Sequence, residues 1–252
     1  MNTQQRIQLS KVPEVTLVFW IIKVLATTLG ETGGDAVSMS MNLGYLVGTG
    51  IFAGIFIAAV LAQISSKKFH PVVYWITIIA TTTVGTTLAD YADRSLGIGY
   101  AGGTTILFSL LMISLFTWYR SMGTISVASV SSPKAEMFYL VTIMFSQTLG
   151  TALGDWTADT AAFGYLASAI VFGGLLALVA GLYYLTKISR TALFWAAFIL
   201  TRPLGAVVGD FLDKPLDHGG LDLSRFSATA TLMALIGACI FIFPHKAAEQ
   251  SH

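Results

Sequence analysis

Eight carboxylates recur in four pairs along the chain: Glu31 with Asp35, Asp90 with Asp93, Asp155 with Asp159, and Asp210 with Asp213. Acids three or four residues apart lie on one face of a continuing helix. Clustered carboxylate oxygens, with no cysteine or helix-borne histidine beside them, suit a hard or borderline ion such as Mn2+, Mg2+ or Ca2+ better than Zn2+ or Cu+. All eight are therefore expected metal-binding positions. The first acids, aligned as Glu31, Asp90, Asp155 and Asp210, are 59, 65 and 55 residues apart. Small residues stand five places and one place before each: Ala26 and Gly30, Gly85 and Ala89, Gly150 and Gly154, Gly205 and Gly209. Eight places before each stands a polar residue, Lys23, Thr82, Gln147 or Arg202, about 12 Å deeper along a helix. This second set is expected to line or gate a substrate path.

The elements that hold these residues must be helices in a bilayer. Of 252 residues 55% are apolar and 11% charged, and the mean hydropathy of +0.74 is far above that of a water-soluble domain. Apolar windows long enough to cross about 30 Å of hydrocarbon fall at 15–31, 43–63, 72–90, 98–118, 137–155, 163–185, 191–210 and 226–243. The first lacks a closing small-x-small site and reads as a permanent span, not a cleaved signal. On the side of the termini lie nine cations, Arg6, Lys11, Lys67, Lys68, Arg120, Lys134, Lys187, Arg190 and Lys246, against Glu14, Glu136 and Glu249. The other side has Arg94, Lys214 and Arg225 against ten acids, among them Asp217 and Asp222. This bias predicts cytoplasmic termini in a bacterial inner membrane. A net charge of +1 removes the footprint of a nucleic-acid binder, and the single Cys239 cannot form a disulfide within the chain.

The repeats read as one membrane domain over 1–252, with units at about 13–66, 71–120, 134–187 and 190–245. With two spans per unit, all four copies enter the membrane the same way. The expected fold is all-α: eight transmembrane helices as four parallel-oriented two-helix repeats, pseudo-symmetric about the membrane normal. The small-xxx-small pattern permits close helix approach. Gly44-Tyr45, Gly99-Tyr100 and Gly164-Tyr165 open the even spans and suggest a tyrosine belt at the outer headgroups, the fourth copy having Gly219-Gly220-Leu221. Trp20, Trp75 and Trp195 read as packing or interface anchors.

With Thr27-Thr28-Leu29-Gly30-Glu31, Thr86-Thr87-Leu88-Ala89-Asp90, Ala152-Leu153-Gly154-Asp155 and Val207-Val208-Gly209-Asp210, the chain resembles bacterial multi-pass proteins, usually labelled membrane-anchored, that are built from a repeat of unknown function. The resemblance runs from about Trp20 to Phe243 and implies architecture without an activity.

A carboxylate in the last turn of a helix opposes the helix dipole by about 0.3–1 kcal/mol. Two unit charges 8 Å apart repel by about 2 kcal/mol at an effective dielectric of 20. Protons, a bound mobile cation, or the fixed cations Lys23, Arg202, Arg94 and Lys214 could offset this. The expectation is a cation-attracting outer vestibule and a transporter of a divalent ion such as Mn2+, with proton coupling. Lys23 and Arg202 would alternately fill and vacate the acidic site, helped by helix irregularity at Arg202-Pro203. The rival substrate is an organic cation, a polyamine or quaternary amine, held by acids next to Tyr91, Trp156 and Phe211. A non-transport structural or partner-binding role is a further alternative.

No phosphate loop or His-Glu-x-x-His helix is present, and His70, His218, His245 and His252 show no ligand spacing, so no enzyme activity and no cofactor are expected. The expected partners are the lipid bilayer and a small cationic substrate, with no nucleic acid; a homo-oligomer is compatible with the sequence. The topology has a direct test. In a Cys239→Ser background, a membrane-impermeant maleimide should label Asp217→Cys but not Lys187→Cys in intact cells; the reverse pattern would invert the orientation.

Overall fold

The computed structural model describes residues 10–66, 68–161 and 163–248. Arg6, Lys67, Glu249 and His252, which enter the sequence reading above, lie outside them. Among the described residues eight helices are long and apolar enough to cross a membrane: α1 (Leu17–Asp35), α2 (Gly44–Ser65), α3 (Pro71–Asp90), α4 (Tyr100–Met122), α5 (Pro133–Asp155), α6 (Gly164–Leu185), α7 (Arg190–Asp213) and α8 (Arg225–Ile242). Their starts carry local signals. Thr16, Ser132 and Ser189 accept hydrogen bonds from the backbone amides of Phe19, Ala135 and Ala192, and Pro71 and Pro133 occupy first-turn positions. Gly44, Gly99 and Gly164 take positive φ where the chain turns into α2, α4 and α6. The turn geometry therefore accounts for the glycine in each glycine-tyrosine step.

The odd helices form a closed ring in the order α1, α3, α5, α7 and back to α1. Each even helix packs chiefly on the ring helix of the following repeat: α2 on α3, α4 on α5, α6 on α7, and α8 on α1. Ring helices are largely buried, whereas the peripheral helices expose long apolar faces with residues such as Ile57, Leu61, Phe116, Ile170 and Phe241.

The glycines set the ring contacts and reveal its register. A Cβ on Gly30 would strike Thr82, one on Gly85 would strike Gln147 and Thr148, one on Gly150 would strike Arg202, and one on Gly205 would strike Thr27. One turn further along, Gly34 meets Thr86, Gly154 meets Ala206, and Gly209 meets Glu31. These contacts form one repeating rule only if Asp35, not Glu31, is equivalent to Asp90, Asp155 and Asp210. The intervals are then 55, 65 and 55 residues. Asp35, Asp90 and Asp155 also share a local geometry, since each ends its α-helix and is followed by a five-residue π-helical turn, at Ala36–Ser40, Tyr91–Ser95 and Trp156–Thr160. The alignment of Glu31 with the aspartates, and of Lys23 with Thr82, Gln147 and Arg202, is corrected by one helical turn. Thr27 takes the Lys23 place in that set, and Glu31 is the counterpart of Thr86, Thr151 and Ala206.

Pro203 does not break α7, which runs unbroken from Arg190 to Asp213. At the end of the bundle nearest the termini, Phe19, Trp20, Tyr74, Trp75, Trp118, Tyr139, Phe194 and Trp195 interlock edge to face and tilted. The Tyr74 and Tyr139 hydroxyls meet at 2.7 Å, and Trp195 donates to the Ile125 carbonyl. Thus Trp20, Trp75 and Trp195 are packing residues. A short strap at the same end pairs Pro13 with Ala247, and Lys11 ion-pairs with the buried Glu136 at 2.6 Å.

Because a methyl on Gly205 would overlap Thr27, with the Thr27 carbonyl carbon at 2.8 Å, Gly205→Ala should destabilise the ring by about 1–3 kcal/mol. Gly173 on α6 has no atom within 4 Å of its would-be Cβ, so Gly173→Ala should be neutral or slightly stabilising. Denaturant unfolding in detergent checks both, and equal effects would contradict the ring packing.

Candidate functional site

The register brings Asp35, Asp90, Asp155 and Asp210 to one level of the ring, where all four side chains are buried. Two cations lie between them. Arg94 Nε is 3.0 Å from Asp90 Oδ1, and its Nη2 is 3.2 Å from Asp155 Oδ2. Lys214 Nζ is 2.9 Å from Asp210 Oδ1 and 2.6 Å from Asp35 Oδ2. Arg94 and Lys214 each stand four residues beyond the aspartate of their own repeat and bridge to the aspartate of the next. In the first and third repeats that place is held by Met39 and Asp159, so the charge layer has twofold order inside a fourfold backbone. Burial pulls the Lys214 amine down, but the carboxylates of Asp210, Asp35 and Asp213 outweigh it and hold its proton well above the ordinary lysine range.

Glu31 sits one turn deeper. Its Oε2 accepts from Arg202 Nη2 at 2.9 Å and lies 3.3 Å from the Thr86 hydroxyl. The same Nη2 also reaches the hydroxyls of Thr86 and Thr151. Arg202, from α7, therefore contacts the equivalent position on each of the other three ring helices, which puts its guanidinium at the bundle axis. Its Nε and Nη1 have no hydrogen-bond partner among the described residues. Glu31, Asp35 and Asp210 each offer one oxygen within 4.8 Å of the others, the one group of potential metal ligands found among the described residues. No cysteine or histidine belongs to it.

The remaining expected site residues divide. Asp213 pairs with Arg225 Nε at 3.0 Å, and the same nitrogen is 3.8 Å from Asp35 Oδ2. Asp93 is buried against Gly103, where a Cβ would strike its carboxylate, and it forms no ion pair among the described residues. Asp159 is exposed at the mouth. Thr82 and Gln147 are buried in the ring, with the Thr82 hydroxyl and the Gln147 amide lacking hydrogen-bond partners among the described residues. Lys23 lies deeper still, fully buried, with no hydrogen bond or ion pair among the described residues and its Nζ 4.2 Å from the centre of the Phe198 ring. It does not reach an acid, whereas Arg202 does. In this conformation Arg202 occupies the Glu31 part of the expected acidic site, Arg94 and Lys214 occupy the aspartate level, and Lys23 is withdrawn from both.

Above the acids an open cavity of about 390 Å³ is lined by Met39, Arg94, Asp159, Tyr165, Lys214, Pro215, His218 and Arg225. The mouth is thus lined by the counter-cations, and the carboxylates lie beneath them; a bare acidic vestibule is not what the fold builds. Two tyrosines of the glycine-tyrosine steps attend Arg94: Arg94 Nη1 donates to the Tyr45 hydroxyl at 3.4 Å, and Tyr100 lies 6.0 Å from its guanidinium carbon. Tyr165 is buried and lines the cavity. Of the aromatics next to the acids in sequence, Trp156 is exposed and Tyr91 and Phe211 are half-buried, and none of the three lines the cavity. The sequence reading counted Arg94 and Lys214 as available cations without placing them. Their four-residue spacing from Asp90 and Asp210 was the usable signal.

Four tandem hairpins of long apolar helices, closed into a ring, are consistent with a multi-pass membrane repeat protein. The chain belongs to the family described as Repeat of Unknown Function (DUF347), whose model matches residues 18–69, 73–124, 138–189 and 193–243. Asp35, Asp90, Asp155 and Asp210 each fall 17 residues after the start of a matched segment, the register the ring contacts require. No curated protein and no solved structure matches the chain.

Removing Arg202 would leave Glu31 as an unpaired carboxylate in an apolar ring. Arg202→Gln should therefore cost roughly 3–5 kcal/mol of stability, and the double substitution with Glu31→Gln should recover most of it. A double-mutant cycle on unfolding measures the coupling; additive losses would mean that the pair does not act as a unit.

Proposed function

We propose that the protein is a multi-pass bacterial inner-membrane carrier of cations, with a divalent metal ion such as Mn2+ as substrate and both termini in the cytoplasm. The observation that carries this reading is the convergence of the buried Glu31, Asp35 and Asp210 within 4.8 Å where α1 meets α7. Three carboxylates so close repel one another strongly in a medium of low dielectric, and a cation among them removes that repulsion. An all-oxygen donor set suits Mn2+, Mg2+ or Ca2+. Exchange of ions against protons on the same oxygens would give proton coupling.

On this reading the substrate path would be open at one end and closed at the other. The cavity above the acids faces the side opposite the termini, and the interlocked aromatic layer closes the side of the termini. Substrate entering from outside would meet the carboxylate level first. Arg202, on the axis, blocks continuous conduction, which favours a carrier over an open pore. Tyr91, Trp156 and Phe211, on which the organic-cation alternative relies, do not line the cavity, whereas Tyr165 does; the convergence of carboxylates, not of aromatics, favours the metal ion.

Proteoliposomes test the reading. Uptake of Mn2+ should respond to an imposed pH gradient, should fall at least tenfold in Asp35→Asn and Asp210→Asn, and should be retained in Asp217→Asn, whose side chain is exposed in the loop after α7. Flux of spermidine in place of metal ions, or metal flux indifferent to both ring substitutions, would overturn it.

A further inference from the structure

The carboxylates proposed above to hold a cation already hold one. Lys214 Nζ lies 2.6 Å from Asp35 and 2.9 Å from Asp210, the two aspartates that with Glu31 make the ligand group. Its side chain comes from the mouth, where Lys214 also lines the open cavity. The backbone behind it is anchored: Asp222 N donates to the Lys214 carbonyl, Lys214 N donates to Asp210 O, and Gly220 packs so closely on Lys214 that no side chain fits there. A flexible four-carbon stem on a fixed root can leave the aspartates for the cavity without unfolding anything. The buried Asp210 Oδ1, 2.9 Å from Lys214 Nζ, forms no hydrogen bond among the described residues, so the ammonium leaves an oxygen of its own site unsatisfied.

The equivalent cation in the other half of the ring is an arginine. Arg94 uses two nitrogens, Nε on Asp90 and Nη2 on Asp155, and the two repeats it bridges supply no third carboxylate, because Thr86 and Thr151 stand where the first repeat has Glu31. A forked guanidinium engaged at both ends is a fixture, whereas a single ammonium between two aspartates is an exchangeable guest. We propose that the Lys214 ammonium is a tethered occupant of the cation site, which the substrate ion must displace to bind. This rests on the carrier reading and names the device that controls its site.

Charge balance then selects the substrate valence. Glu31, Asp35 and Asp210 with Lys214 and Arg202 carry three negative and two positive charges, a net of −1. Exchanging Lys214 for a divalent ion brings the net to zero, while a monovalent ion only restores −1. Including Asp213 and Arg225 adds one charge of each sign, and including Asp90, Asp155 and Arg94 lowers the net by one in every state, so a divalent ion still adds one charge over Lys214 where a monovalent ion adds none. A divalent ion therefore gains what a monovalent one cannot, and the resting protein keeps its site filled without it.

Mn2+ binding to the purified full-length protein in nanodiscs, measured by titration calorimetry, tests the displacement. Lys214→Gln removes the competitor and should lower the Kd for Mn2+ at least tenfold. Lys214→Arg installs a fixture like Arg94 and should raise it at least tenfold; a purely structural lysine would not move the two variants in opposite directions. Wild-type affinity in both, alongside Mn2+ uptake that Asp210→Asn abolishes, overturns the tethered occupant and leaves the carrier standing. Absence of Mn2+ binding in all three proteins overturns both, and binding by Lys214→Gln alone supports the occupant. If Lys214→Gln fails to elute as a folded helical protein, Lys214→Arg decides: an affinity equal to or above that of the wild type overturns the proposal.

Discussion

Five carboxylates buried in one apolar ring have to be neutralised within a few ångströms, and that electrostatic requirement organises the upper interior of this protein. Glu31, Asp35, Asp90, Asp155 and Asp210 are all buried, and each is within 3.2 Å of a nitrogen of Arg94, Arg202 or Lys214. Removing one partner from such an arrangement is far costlier than removing both. The close helix approach enforced by the ring glycines brings the opposite charges within reach of one another across repeat boundaries. Small residues in the ring and ions at its end are thus parts of one construction.

Symmetry falls in steps from the backbone inward. The hairpins and their glycine contacts follow fourfold order, the aspartate bridges by Arg94 and Lys214 follow twofold order, and the axial Arg202–Glu31 pair is unique. A symmetric ring would hold four equivalent shallow sites. Loss of symmetry concentrates three carboxylates on the α1–α7 side and leaves hydroxyls at the matching places on α3 and α5. Duplicated scaffolds with one specialised side allow chemistry at a single point while the remaining copies keep the frame closed.

Much of this was readable from the residues, and the exceptions have physical causes. Eight long apolar runs and four acid-bearing hairpins fix the helices and the parallel repeats, because bilayer thickness and helix rise leave little choice. The first repeat misleads because Thr27-Thr28-Leu29-Gly30 resembles Thr86-Thr87-Leu88-Ala89 more closely than does Glu31-Thr32-Gly33-Gly34, which is its true counterpart. A shift of four residues keeps nearly the same helix face, so periodicity is blind to the error; the contacts of Gly30 with Thr82 and Gly205 with Thr27 between neighbouring ring helices resolve it. Partner choice among charges was equally hidden, since Arg202 meets an acid 171 positions away and Lys214 one 179 positions away. Lys23, whose type alone suggested a partner, has only an aromatic face.

The offset by which each peripheral helix covers the following repeat has a consequence for biosynthesis. A chain made from its N-terminus produces α1 first, yet the helix that covers it, α8, is the last to leave the ribosome. During that interval Glu31 and Asp35 have no counter-charge, because Arg202 and Lys214 belong to the seventh helix and the loop behind it. The nascent protein must shelter its first helix until the final hairpin arrives, and a chain truncated before α7 would expose that helix to the quality-control machinery of the membrane.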